Sequence, residues 1–508
     1  MGLVVKNHVL HCLVIGLLYF CQGVVQGTIT VMLLILLQRH PDLSAADQAT
    51  LGLPMYAFSF KFVWAPILDR YYAHWSPLPT IAEEGEVPRG FLARFHRRVQ
   101  WVVLLQFLMA LDYLVLYMGG DDFLEAAVTS RSTFFQLWLI LAFLAFFNAS
   151  QDIAVDAWAV EGLPQEEAAS AGLLQLVGTL CGATIGNLFV QLNYTDPVLF
   201  SIRAFCLSSS LICVVAAVAS VILALEDPLP MESLLSVCDT PHAPKNLRET
   251  LRDLYKSHGM RDMVAISLTR GWPLATWFLT VSRLISMHVI TAATYARFRI
   301  YSTILQVTLA SLCSSRLLKR FHAASIVQYA SGMDFLFSIC ASLCFVFIAD
   351  PSARDWYGSF ILLPLVLCMT MLNAFIFVAN VSLSSVQARR FPHDIGGVLT
   401  LLNALGNIGH HVPSTICMYS AHIIVSLASS HVQSDTRYAN FYAPAAVKER
   451  QAKHETPPFS PYYVKLDVIS LSIFFFTVGA ILRYRFLVPG AVFLKTTSES
   501  ELSPVLMK

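Results

Sequence analysis

Twelve apolar runs, most of them 20 residues or longer, are spaced along the chain near 9–36, 49–72, 100–119, 134–160, 168–192, 199–225, 263–284, 293–314, 323–349, 356–386, 396–427 and 463–487. A helix needs about 20 predominantly apolar residues to cross the hydrocarbon core of a bilayer, and only a helix or a closed barrel satisfies its own backbone there. The pattern therefore predicts an all-α integral membrane protein. Composition agrees: 56% of the 508 residues are hydrophobic, only 13% are charged, and the mean hydropathy is +0.61. A water-soluble chain of this size lacks the interior to hide that much apolar surface. The first run is too long for the apolar core of a cleavable leader and reads as a span.

Lys and Arg concentrate in alternate loops. Arg70, Arg89, Arg94, Arg97, Arg98, Lys245, Arg248, Arg252, Lys256, Arg261, Arg316, Lys319, Arg320, Arg389, Arg390, Arg483 and Arg485 fall on one side, against Arg39, Arg131 and Arg354 in the short loops of the other, with Arg283, Arg297 and Arg299 near the seventh and eighth spans ambiguous. The positive-inside bias then puts both termini in the cytoplasm. In the central loop, Leu247, Leu251 and Leu254 share a face opposite Arg248, Arg252 and Lys256. This predicts a short helix lying on the membrane surface or a solvated linker helix. Ten of the eleven cysteines lie in apolar runs and only Cys238 in a polar loop, so no disulfide framework or metal-ligand spacing is legible.

Six spans, a cytoplasmic loop and six more resemble the layout of the major facilitator superfamily. The expected division is an N-terminal six-helix half at 1–225, a central loop at 226–262, a C-terminal half at 263–487 and a cytoplasmic tail at 488–508. Weak internal symmetry accompanies it: AGLLQLVGTLCG opens the fifth span and GGVLTLLNALGNIG the eleventh. In both, glycines are spaced so that helix backbones can approach closely.

A charge at the bilayer centre costs about 2.5–3.5 kcal/mol on insertion scales, so charged residues inside spans mark function or obligatory pairing. Lys61 lies midway along the second span and Arg270 about two turns into the seventh, beside Pro273. One cation from each half suits a cleft that receives an anion. Alternatively, each pairs with Asp152 or Asp156, which are four residues apart and share one face of the fourth span. Those carboxylates read first as gate ion pairs and second as proton carriers. Asp69, Arg97 and Arg98 read as cytoplasmic gating residues. Polar stripes complete the candidates: Gln22 and Gln26 on the first span; Asn373, Asn380, Ser384 and Gln387 on the tenth; Thr400, Asn403, Asn407, His410, His411 and Ser414 on the eleventh. Such stripes line a wet pathway or bond helix to helix. His410 and His411 point about 100° apart on a helix and make a poor joint metal site.

Three segments, FSFKFVWAPILD (Phe58–Asp69), SQDIAVDAWAV (Ser150–Val160) and IGGVLTLLNALGNIG (Ile395–Gly409), resemble the acetyl-coenzyme A transporter family of that superfamily. More distantly they resemble bacterial muropeptide permeases. The resemblance implies twelve transmembrane helices in two pseudo-symmetric halves. It implies transport of acetyl-CoA from cytosol to the endoplasmic reticulum lumen in exchange for CoA, with no catalytic residues and no cofactor. Lys61 and Arg270 would supply counter-charge to the phosphates, with Trp64, Trp272 or Trp277 stacking on adenine. The expected partners are these small molecules and lipid, not nucleic acid. Another organic anion (a nucleotide-linked metabolite, an oxidised peptide or a sugar-peptide) fits the same cavity chemistry. A membrane scaffold or membrane enzyme is the reading from another class, but no phosphate loop or nucleophile elbow is present. The orientation is open to test: a membrane-impermeant maleimide should label Cys238 from the cytoplasmic face, and labelling only from the opposite face would invert the topology.

Overall fold

A computed structural model describes residues 8–40, 43–70, 97–162, 168–193, 200–226, 258–269, 271–286, 290–312, 320–348, 363–388, 395–434 and 461–487. Every described element is helical, and a helical stretch stands where each of the twelve spans is expected. Seven of these helices are individually long and apolar enough to cross a membrane. The central-loop helix expected at 247–256, the loop 73–96 and the tail from 488 lie outside the described residues.

The first half begins with α1 (His8–Arg39). Its second stretch is broken into α2 (Ala45–Gly52), α3 (Tyr56–Phe60) and α4 (Ala65–Arg70), joined by 3-10 turns at Leu53–Met55 and Lys61–Val63. Then come α5 (Arg97–Thr129), α6 (Arg131–Gly162), α7 (Ala168–Asn193) and α8 (Ile202–Glu226). The second half holds α9 (His258–Thr269), a 3-10 turn at Trp272–Leu274, α10 (Ala275–Ser286), α11 (Ala292–Leu312), α12 (Ala323–Ile348), α13 (Leu363–Ala388), α14 (Ile395–Ser434) and α15 (Pro461–Leu482).

The breaks follow from sequence. Pro66 has no N–H and its ring crowds the carbonyl of Phe62, so the turn before it tightens to 3-10 geometry. Trp64 N–H then bonds Lys61 O at 3.3 Å. Pro54 marks the upstream 3-10 turn, and Pro273 does the same between α9 and α10. The third stretch departs from expectation: helix resumes beyond 119 because Gly120 takes a left-handed φ of 59° that turns the chain into a further helical piece. On that piece Asp121 binds Arg39 at 2.7 Å and Glu125 binds His40 at 2.8 Å.

Packing is closest between α1 and α7. A Cβ on Gly182 would lie 2.0 Å from the Phe20 carbonyl oxygen, and one on Gly23 would lie 2.1 Å from that of Thr179. The two backbones touch with no side chain between them, which is what small residues at such spacing permit. The second half repeats the device between α9–α10 and α14, where a Cβ on Gly271 would lie 2.2 Å from Gly409 O. Pro413 cannot donate to that carbonyl in the helix, which leaves it facing the neighbouring backbone. Two helical seams cross from one half to the other: the broken second stretch lies along α14, and α7 lies along α11, where Leu176 packs with Ala310, Ala374 and Val378.

Gly182→Ala should lower stability by about 1–3 kcal/mol through overpacking. Gly397→Ala, where a Cβ would meet nothing within 4 Å, should leave thermal unfolding of the detergent-solubilised protein unchanged.

Candidate functional site

The break at Lys61–Val63 sets the site. Within it the Lys61 side chain reaches into the first half, where it is 1% exposed and meets α6. Its ammonium donates to Asp152 Oδ2 and stands 3.8 Å from Asp156 Oδ2. Asp152 and Asp156, one turn apart on α6, thus face the same cation, as their spacing predicts. Two further groups close the cluster. Tyr19 on α1 donates its hydroxyl to Asp156 Oδ1 at 2.8 Å. Gln175 on α7 donates to Asp156 Oδ1 at 3.2 Å and to Asp152 Oδ1 at 3.4 Å. Four stretches of the first half therefore converge on three charges.

The ion pair was one of two readings of Lys61, and the structure places the side chain in it. An ammonium and carboxylate withdrawn from water lose several kcal/mol of hydration each, and close contact plus satisfied hydrogen bonds must offset that. Tyr19 and Gln175 supply those bonds. No pattern in the sequence marks Tyr19 or Gln175, because their partners lie 137 and 19 residues away on other helices. Sequence counting also passed over two further mid-helix acids. Asp112 on α5 has a buried Oδ2 with no hydrogen-bond partner among the described residues, and Asp334 on α12 is buried. They occupy similar settings, LDYL and MDFL, so the repeat between halves was the available signal.

The other expected residues divide. Gln22 is buried on α1 with neither amide atom hydrogen-bonded, and Gln26 is half-buried one turn on. Trp64 is tied to α6: its indole N–H donates to Ser150 Oγ at 3.1 Å and its ring lies 5.0 Å from Phe146. Trp277 packs with apolar residues at the contact of α10 with both halves. Asn373 bonds back to Met369 O on its own helix at 3.0 Å, and Asn380 keeps a buried oxygen without a partner. Asn403 is half-buried on α14. Asn407 crosses between the halves, donating to Phe58 O at 3.3 Å. His410 is exposed, while His411 faces Tyr56 of the second stretch with ring centroids 6.0 Å apart. Arg98 is buried on α5. Arg270 and the side chains of Asp69, Arg97 and Gln387 lie outside the described residues.

Beyond the cluster, toward the Ala45 end of the second stretch, polar contacts join the halves. Gln48 accepts from Ser282, and the Thr50 and Tyr419 hydroxyls meet at 3.0 Å. Arg131 binds Asp47 at 2.6 Å at the same end. With Asn407 and His411, these contacts make the second stretch and α14 the principal polar seam between halves. What the arrangement offers chemically is a buried cation under carboxylate control, set beside an interface between two bundles.

Comparison with known proteins bears on what such a site serves. Residues 10–218 match the family model described as acetyl-coenzyme A transporter 1, a stretch that contains Tyr19, Lys61, Asp152, Asp156 and Gln175. An uncharacterised protein of Schizosaccharomyces pombe (strain 972 / ATCC 24843) is 23% identical over 428 residues, 80% of this chain and 74% of its own length. The anhydromuropeptide permease of Escherichia coli (strain K12) is 28% identical over 156 residues, 30% of this chain and 26% of the permease. Among solved structures, a bacterial homologue of the iron transporter ferroportin in an outward-facing state superposes with a TM-score of 0.54. It is 12% identical, over 94% of this chain and all of the other. An auto-inhibited POT family peptide transporter superposes at 0.50, also with 12% identity, over 93% of this chain and 96% of its own. The chain shares the helical fold of these solved transporters, its long apolar helices are those of a multi-pass membrane protein, and its residues 10–218 resemble the acetyl-CoA transporter family.

If the cluster is a matched set, a double-mutant cycle will register it. Lys61→Met alone should destabilise the solubilised protein strongly, by about 3–5 kcal/mol, because it strands two buried carboxylates. Lys61→Met with Asp152→Asn should recover part of that loss, giving an interaction energy of about 1–3 kcal/mol. Additive losses would mean that the two side chains do not depend on each other.

Proposed function

We propose that this transporter carries acetyl-CoA from the cytosol into the endoplasmic reticulum lumen by alternating access, exchanging it for CoA. The observation that carries the reading is the acetyl-CoA transporter model matching the whole stretch that builds the Lys61 cluster. The chemistry is suitable. A phosphate or pyrophosphate group is recognised by charge-assisted hydrogen bonds from cations, and a buried Lys61 released from Asp152 is such a donor. Arg270, at the Pro273 break of the opposite half, is the second cation in this reading. Polar groups along α14, among them Asn403, Asn407 and His410, would line the path, with Asn373, Asn380, Gln22 and Gln26 beside it.

Anion binding and the Lys61–Asp152 pair compete for one ammonium. Cargo therefore favours the arrangement in which the pair is open, and a ligand moves a conformational equilibrium only by such differential affinity. Asp69, Arg97, Arg98, Asp152 and Asp156 act in this scheme as the gate charges. The match to the muropeptide permease supports one alternative cargo, a sugar-peptide, with the same cationic requirement.

Proteoliposomes loaded with CoA should accumulate labelled acetyl-CoA faster than empty ones. Nucleotide sugars, anhydromuropeptides and dicarboxylates should compete poorly. Lys61→Gln and Arg270→Gln should each raise the KM for acetyl-CoA about tenfold, the loss of roughly one charge-assisted contact. Uptake of an anhydromuropeptide in preference to acetyl-CoA would replace the cargo, and unchanged KM in both variants would remove the two cations from the site.

A further inference from the structure

The cluster contains two carboxylates and one ammonium. With all three charged it holds an excess negative charge deep in the bundle, and among the described residues Lys61 alone brings a cation within 4 Å of either carboxylate. α7 has no charged residue anywhere between 168 and 193. On α1 the remaining titratable group nearby is His11, which lies edge-on to Trp158 at 5.5 Å. Arg98 is buried on α5. The groups that do face the pair are Lys61, Tyr19 and Gln175.

We propose that Asp152 and Asp156 form the binding site for one transported proton, with Lys61 as the charge that competes for it. This rests on the anion-transport reading and adds a coupling ion to it. When cargo draws Lys61 away, the two carboxylates lose their counter-charge and take up a proton. When the cargo leaves, Lys61 returns and displaces it. Because the two events share one ammonium, anion binding and proton uptake are linked reciprocally.

Three features favour a proton over a metal cation. Lys61, Tyr19 and Gln175 all point donors at the carboxylates, whereas a metal needs acceptors turned inward. Asp156 is also the more accessible of the two, its side chain 20% exposed against 7% for Asp152, so the pair has a wet side and a dry side. Finally, a polar seam leads on from the cluster between α1 and α6. Gln151 donates to Leu18 O at 3.4 Å and Asn148 to Gln22 O at 3.1 Å. Gln151 Oε1, Asn148 Oδ1 and both amide atoms of Gln22 are buried with no partner among the described residues. Buried amide atoms of this kind are satisfied by water, and a file of waters conducts protons.

Infrared titration of the reconstituted protein tests the site without any substrate. As pH falls, a carboxylic-acid carbonyl band should appear in the wild type and be missing in Asp156→Asn or Asp152→Asn; either variant that folds suffices. In Lys61→Gln the same band should persist to a pH higher by about one unit or more, since the opposing charge is gone. A band unaffected by either asparagine, or a titration unmoved in Lys61→Gln, overturns the proposal. The coupling is read by acetyl-CoA uptake into vesicles holding no CoA, where no returning anion carries the proton back, under an imposed pH gradient: several-fold faster down the proton gradient in the wild type, and indifferent to it in Asp156→Asn. Wild-type uptake indifferent to the gradient refutes a transported proton while leaving the cargo reading intact. Absence of acetyl-CoA uptake in every vesicle refutes the cargo reading, and the infrared titration then decides the proton site alone.

Discussion

A lysine ammonium held away from both water and lipid needs negative charge within a few ångströms, and that requirement organises the first half of this protein. Lys61 is delivered to Asp152 by the 3-10 turn ahead of Pro66. Tyr19 and Gln175 then commit α1 and α7 to the same point. Where α1 and α7 meet, the glycine seam lets the two backbones touch, so the hydroxyl of Tyr19 and the amide of Gln175 arrive at one carboxylate. Removing the cation leaves two like charges one turn apart. Such a site is stable only in combination.

The second half answers with different hardware. Its broken seventh stretch repeats the proline-made turn of the second, and Gly271 against Gly409 repeats the close backbone contact. The polar residues of α14, however, reach across to the second stretch: Asn407 to Phe58 O, His411 to Tyr56, Tyr419 to Thr50. The second stretch therefore serves two masters. One face carries Lys61 into its own half, and the other meets α14 of the opposite half.

The family match carries the proposed cargo, and the charges of the Lys61 cluster suit it. Solved structures at 12% identity give the fold, and a fold of this kind serves many cargoes. What narrows the chemistry is a single buried ammonium whose carboxylates outnumber it.

That each of the twelve apolar stretches is helical was legible along the chain, since apolar length and helix geometry are local properties. The pairing of Asp152 with Asp156 on one face was legible for the same reason: it follows from 3.6 residues per turn. The direction in which Lys61 points was left open between a cleft and a carboxylate pair, and tertiary structure decided it. So too with Tyr19 and Gln175, whose polar atoms look unremarkable in sequence and find Asp156 only once α1 and α7 pack against α6. Local pattern determines which helices form and which faces are polar. Which of those faces meet depends on contacts between residues over a hundred positions apart, and only the packed bundle supplies them.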